Sequence, residues 1–208
     1  GRLHELYVGW RDGRFVEVPG ELSDERIAPR LEVDGGELAE GQRTEVNLRM
    51  AEWLARIADD LEHGYVLLID YGLSGKELRS AARATGTIRA FRGQHVSSDV
   101  LGGVGHQDIT AHVDLDALDG DARQAGLAVL GRTTQAEFLM GCGFEEIYQD
   151  AKKEADRDWE SALGLRSAVR RLLDPHHLGG YAVVVLGKGV EESAPALRGL
   201  AYHLDRPA

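Results

Sequence analysis

The sequence predicts an α/β protein built on a doubly wound sheet, on three observations. A stripe of apolar residues at helical spacing between positions 42 and 63 runs directly into the continuous apolar run Tyr65-Val66-Leu67-Leu68-Ile69. That run stops at the polar, glycine-containing turn Asp70-Tyr71-Gly72, and a second run, Tyr181-Ala182-Val183-Val184-Val185-Leu186, lies near the end of the chain. Continuous apolar runs of strand length are what strands covered on both faces look like. Helix, buried strand and turn in succession build a sheet whose ligands gather beyond the carboxyl ends of its strands.

Taken in order, residues 3–10 and 14–18 are rich in β-formers around Asp12-Gly13, a pair suited to a tight hairpin turn. Positions 19–41 mix Pro, Gly and acidic residues without periodicity and read as a loop, so 1–41 is expected to be a hairpin and insertion region. In the stretch 42–63, Val46, Met50, Trp53, Leu54, Ile57 and Leu61 fall on one helical stripe, and Gly64 is placed to end the helix. The apolar run after it is expected to be a central strand. Residues 87–91 suggest a short strand. Positions 108–115 alternate, with Ile109, Ala111, Val113 and Leu115 on one side and Asp108, Thr110, His112 and Asp114 on the other, as one strand presenting a polar row would. A helix over 116–124, a strand over 127–130, and a helix capped by Thr133 or Thr134 and running to Met140 follow, with Phe138 and Leu139 facing inward. A charged helical stretch covers 145–173, and the tail 191–208 carries little pattern.

The 208 residues suffice for one sizeable core, and the formal net charge of −11 argues against a nucleic-acid surface, which needs clustered Lys and Arg. A single cysteine, Cys142, leaves no intrachain disulfide and fits a reducing compartment. With neither an apolar run of membrane-spanning length nor a signal pattern, the expected location is cytoplasmic, with no membrane partner. The chain opens Gly1-Arg2-Leu3 without Met and enters a strand pattern at once, which reads as a cut inside a larger protein.

Several residues have chemistry worth weighing. Asp70, Tyr71 and Gly72 sit at a strand end, where an α/β enzyme places its active groups, although Asp and Gly there also cap the next element. His95 carries an imidazole, the side chain most used for proton transfer, and a surface histidine is the plain alternative. The row His106, Asp108, His112 and Asp114 raises a divalent metal. On a straight strand, however, Asp108 and Asp114 stand about 20 Å apart, too far to share one ion, and a hydrogen-bonded polar face is the simpler reading. Thr134-Gln135 is a helix cap, and Glu45 complements a helix dipole. None of the glycine groups at 102–105, 141–143 and 187–189 lies between a buried strand and a helix with an acid about 20 residues on, so the chain is expected to lack its own nucleotide loop.

In order along the chain, Glu40-Gly41 with Glu45-Val46, GYVLLIDYG from Gly64 to Gly72, Gly86-Thr87 with Arg89-Ala90 and His95, Gly105 with Asp108-Ile109-Thr110-Ala111-His112-Val113-Asp114, Thr134-Gln135 with Phe138-Leu139, and Gly179 resemble the MidA-like class I S-adenosylmethionine (SAM) methyltransferases. That family includes the mitochondrial complex I assembly-factor methyltransferase. The resemblance covers about residues 1–190. It implies the carboxy-terminal portion of a Rossmann-like class I methyltransferase sheet with an added β-hairpin and helices. It implies SAM as cofactor and a protein side chain, arginine for choice, as methyl acceptor. The family's SAM loop and ribose acid lie upstream of the segments matched, so the cofactor-binding residues are expected upstream of Gly1. Val104 departs from the family's usual proline before the glycine.

Mapped onto this chain, Asp70, His95 and Asp108 are the candidate catalytic residues. Glu45, Tyr71, Gly72, Thr110 and Gln135 are the candidate substrate-binding residues, and no metal site is expected. Asp70 and Asp108 are expected at the ends of the two innermost strands, walling one cleft. The partners expected are a protein substrate and a second copy of the chain. Two rivals remain: a noncatalytic interaction module that keeps half of the fold, and a metal-dependent hydrolase using the His/Asp row.

Overall fold

A computed structural model of the protein describes residues 2–33, 38–93, 95–155, 157–190 and 197–203. The chain divides into two compact units, Gly1–Trp53 with Leu73–Asp121 and Leu54–Gly72 with Ala122–Ala208.

In the first unit, Glu5–Arg11 and Arg14–Gly20 form an antiparallel hairpin whose closing pair is Arg11 and Arg14. Both loop residues take positive φ, 50° at Asp12 and 77° at Gly13, the geometry whose twist matches that of the flanking strands. A short helix, Ile27–Val33, stands where a loop was expected. Pro29 had argued against it, yet a proline in the first helical turn removes no intrahelical bond. Asp24 organises the entry, its carboxylate accepting the Arg26 N–H at 2.8 Å and its carbonyl the Ile27 N–H at 3.2 Å. The Arg30 guanidinium then forks onto both oxygens of the buried Asp121 carboxylate.

The long helix expected over 42–63 is confined to Met50–Asp60. Residues before it spend their hydrogen bonds on a neighbouring segment instead. The Gln42 amide donates to the Arg79 carbonyl at 2.8 Å, the Arg43 N–H to the Ala84 carbonyl at 2.8 Å, and Glu45 accepts from Thr87 and Ile88. Asn47 Oδ1 accepts the Arg49 N–H at 3.0 Å just ahead of the first turn. Met50, Leu54 and Ala58 are buried on the helix's apolar stripe, whereas Trp53 is 47% exposed and does not face inward.

A small antiparallel sheet has the order His95–Ser97, Arg89–Arg92, Asp108–Thr110. Its middle strand begins two residues later than expected because the Thr87 and Ile88 N–H groups go to Glu45 rather than to a ladder. The single strand expected over 108–115 ends at Thr110. The His112 N–H turns to Thr87 Oγ1 at 3.0 Å, and Asp114 Oδ1 accepts the N–H groups of Asp116 and Ala117, both at 3.1 Å, to start the helix Leu115–Gln124.

In the second unit, three strands lie in the order Gly64–Asp70, Ala182–Lys188, Ala128–Thr134. The middle strand runs antiparallel to both neighbours, which makes the outer two parallel to each other. Val183 to Leu186 are at most 3% exposed, so this is the strand covered on both faces. Gly64–Asp70 is not. It is an outer strand among the described residues, with Tyr65, Leu67 and Ile69 on one face between 45% and 49% exposed. A continuous apolar run does not distinguish an outer strand from an inner one.

Thr134 ends its strand and caps the helix Gln135–Gly141. The charged stretch expected as one helix is two, Phe144–Ala155 and Trp159–Leu173, the second capped by Asp158, whose side chain accepts the Ser161 N–H at 2.9 Å. The tail is not loose where it is described. Arg198–Leu200 forms a turn, Gly141 leaves room for the Arg198 carbonyl, and Leu200 lies over Gly131. Residues 191–196 and 204–208 lie outside the described residues. Among the described residues, no helix is long and apolar enough to cross a membrane.

Candidate functional site

The second unit brings four of the predicted residues to one rim. Asp70 and Thr134 both pair with Ala182, at the carboxyl ends of two parallel strands. The turns that leave those strands carry Asp70-Tyr71-Gly72 on one side and Gln135 on the other. Asp70 is exposed, and its Oδ1 accepts the Tyr71 N–H at 2.7 Å. The Tyr71 ring meets that of Tyr181 edge-on, with centroids 4.7 Å apart and planes at 64°. Partial burial, together with a hydrogen bond to Tyr71 and the Tyr71 and Asp70 charges, pushes the Tyr181 phenol up to about 12, so it stays protonated at neutral pH. The Gln135 N–H donates to the Tyr181 carbonyl at 2.8 Å and its side-chain amide to the Leu172 carbonyl at 3.3 Å. A capping box holds this corner. Thr134 Oγ1 accepts the Glu137 N–H, while the buried Glu137 carboxylate accepts from the Thr134 N–H and from both threonine hydroxyls, Thr133 and Thr134. Sequence reasoning missed Tyr181 as a site residue, since it reads there only as the first residue of an apolar strand.

The first unit holds the other predicted residues. Asp108 stands opposite Phe91, Thr110 opposite Arg89, and His95 opposite Arg92. Directly opposed residues share a face and neighbours along a strand alternate, so Asp108 and Thr110 lie together on the Phe91 face while His95 lies on the reverse with Arg92. The structure thus does not bring His95 and Asp108 onto one surface, contrary to their expected joint role. Asp70 and Asp108, expected on the innermost strands of one sheet, belong to different sheets.

Glu45 is fully engaged. Its Oε1 accepts the N–H groups of Thr87 and Ile88 at 2.8 and 3.0 Å, and its Oε2 accepts the Thr87 hydroxyl at 2.9 Å. Thr87 Oγ1 in turn accepts the His112 N–H, so one carboxylate ties three segments together. Gly86, with φ +75°, is required here, because a Cβ would lie 2.3 Å from Glu45 Oε1. The glycine-threonine pair ahead of a strand was the available signal for this clamp.

Of the remaining polar row, Asp114 caps a helix and pairs with the buried Arg79 at 3.2 Å. The hollow lined by Arg30, Glu45, Asn47, Arg79 and Asp114 measures about 20 Å³, room for on the order of one water. Among the described residues, no three His, Cys, Asp or Glu side chains come together in a way that would hold a metal ion.

The profile of a family described as "Putative S-adenosyl-L-methionine-dependent methyltransferase" matches residues 1–133. The chain belongs to this family. Two crystal structures from Burkholderia thailandensis, both of one superfamily, are similar to it. An uncharacterized protein is 28% identical with a TM-score of 0.84, the match covering 95% of this chain and 51% of that one. A second member, bound to S-adenosyl-homocysteine, is 27% identical with a TM-score of 0.83, covering 95% and 50%. The chain therefore shares the fold of these methyltransferase-family structures and spans about half their length. No curated protein matches it.

Proposed function

We propose that the chain supplies the acceptor side of a SAM-dependent methyltransferase that modifies a protein side chain, arginine being the acceptor its groups suit. The observation that carries this reading is the rim where two parallel strands end together, at Asp70-Tyr71 and at Thr134-Gln135. In an open α/β sheet the carboxyl ends of the strands are where ligands bind. Family membership and the S-adenosyl-homocysteine held by a 27% identical relative support the cofactor.

The groups present fit a cationic guest. An exposed carboxylate beside two tyrosine rings attracts a guanidinium by charge and by the ring faces. SAM, when bound, supplies the electrophilic methyl group. The work left to this chain would be to align the acceptor nitrogen and to take up the proton it loses as the N–C bond forms and the methyl–sulfur bond breaks, with S-adenosyl-homocysteine as the leaving group. Asp70 is placed for both tasks, orienting an N–H of the acceptor and accepting its proton. The Tyr181 hydroxyl, kept protonated, serves as a hydrogen-bond donor, and Tyr71 and Gly72 shape the strand exit. Gln135, its amide tied to Leu172, fixes the second exit. Within the first unit Asp108 and Thr110 share a face and His95 lies on the reverse, and all three stay candidates by resemblance. Glu45 acts as a positioning residue through Thr87. A cytoplasmic setting fits the lone cysteine and the acidic charge.

The test is transfer of label from methyl-labelled SAM to protein by a family-length polypeptide carrying this chain, followed by hydrolysis and identification of the labelled amino acid. Methylarginine is the result expected. Label on another residue overturns the choice of arginine, and the lack of any SAM-dependent transfer to protein overturns the reading.

A further inference from the structure

The hairpin at the start of the chain is underused by the fold around it. Among the described residues its two strands pair only with each other, and a lone two-stranded ribbon is marginal in water. On one of its faces Leu6 is 41%, Val8 62%, Trp10 65% and Phe15 40% exposed, beside Glu17, which stands opposite Val8 and pairs with Arg43 at 2.7 Å. Trp10 and Phe15 lie edge to face across the ribbon, centroids 4.8 Å apart. A face of this kind, bordered by unpaired strand edges, marks an interaction surface.

The two outer edges are not equivalent. In a hairpin with a two-residue loop the closing pair, here Arg11 and Arg14, exchanges both backbone bonds, and every second pair does so along the ladder. The backbone groups of Leu6, Val8 and Trp10 then point outward from one strand, and those of Phe15, Glu17 and Pro19 from the other. Pro19 has no N–H to offer, so it blunts the second edge. The Glu5–Arg11 edge carries no such block.

We infer that this edge pairs with the same edge of a second copy of the chain, about a twofold axis at Val8, to make a continuous four-stranded sheet. The sequence Glu5-Leu6-Tyr7-Val8-Gly9-Trp10-Arg11 is complementary to itself under that operation. Val8 meets Val8, Leu6 meets Trp10, and Glu5 meets Arg11 at each end. The outward-pointing residues of one copy meet the outward-pointing residues of the other, as hydrogen bonding demands. Opposed residues share a face, so the two faces become one and each Trp10 gains a Leu6 beside its Phe15. The ion pairs fall at the close, non-hydrogen-bonded positions. Glu5 is ready for that role, because hydrogen bonds from Ser23 hold its carboxyl below the usual range and therefore ionised. Arg11 is exposed and has no ion-pair partner among the described residues. This isologous contact is independent of the methyltransferase reading.

Sedimentation velocity over a concentration series tests it, using the 208-residue chain, Arg11→Glu, Glu5→Arg and the double exchange, each checked for native far-UV circular dichroism. The wild type is expected to dimerise. Each single change sets like charges opposite one another at both ends and weakens the dimer about tenfold or more. The double exchange restores the opposite pairing and with it the dimer. A wild type that stays monomeric, a dimer indifferent to Arg11→Glu, or a folded double exchange that stays as weak as the single variants overturns the inference.

Discussion

Replacing Glu45 by alanine isolates the clamp that holds the first unit together. The carboxylate accepts two backbone N–H groups and one hydroxyl, and Thr87, which supplies two of these donors, is only 5% exposed. Without Glu45 those donors are left in a site where water reaches them poorly. A hydrogen bond to a charged partner contributes about 1.5–3 kcal/mol, but three bonds to one carboxylate are not additive and the loop can relax. The expected loss of stability is therefore about 3–5 kcal/mol. Glu45→Gln keeps one carbonyl oxygen for the two N–H groups, presents an amide donor to the Thr87 hydroxyl, and is expected to cost about 1–2 kcal/mol. Urea unfolding followed by circular dichroism reads both, with an unchanged slope showing that the native and unfolded ensembles are comparable. A Glu45→Ala variant within about 0.5 kcal/mol of wild type, the range of an ordinary surface substitution, would refute the clamp and return Glu45 to the substrate-binding residues.

Three further outcomes follow from the same geometry. Gly86→Ala forces a side chain into a positive-φ position against Glu45 Oε1 and should destabilise by about 2 kcal/mol or more, read by the same unfolding curves. Asp121→Ala removes a carboxylate that is 1% exposed and holds the Arg30 guanidinium through both oxygens, and should cost about 3–5 kcal/mol, lowering the thermal midpoint. Tyrosinate absorbance should show the Tyr181 phenol titrating near pH 12. Its folded-state value lies above the ordinary 10.0, so the stability linked to the neutral phenol is intact below pH 10 and is lost as pH rises through about 12. In Tyr71→Phe the midpoint should fall yet stay above the ordinary value, since burial is the larger cause.

The sequence made the elements legible where local chemistry decides them. Asp12-Gly13 specified the hairpin turn, the run from Tyr65 specified a strand, and a capping threonine at 133 or 134 specified a helix start. It misled where side chains reach across the chain. Val46 fits a helical stripe, but Gln42, Arg43 and Glu45 are drawn into bonds with residues about 40 positions away, and no local periodicity reports that. The alternation from Asp108 to Leu115 is genuine, yet the His112 N–H goes to Thr87 rather than to the ladder, and Val113–Asp114 form a separate two-residue strand. Burial was the least legible quantity: Leu67 and Val185 are both apolar strand residues paired with one another, and one is 48% exposed while the other is 3%. For the site, the strand-end rule found Asp70 and Tyr71. It did not find Tyr181, which reaches the rim only because an antiparallel strand starts there.

The placement of Asp70 on the acceptor side, rather than the cofactor side, is the claim on which the functional account turns. Comparing Asp70→Asn with wild type in a family-length polypeptide, by S-adenosyl-homocysteine calorimetry alongside methyl transfer, addresses it most directly. The account predicts transfer slowed by about 10²-fold or more with affinity for S-adenosyl-homocysteine unchanged. Transfer at the wild-type rate, or an affinity that falls in step with the rate, would contradict it.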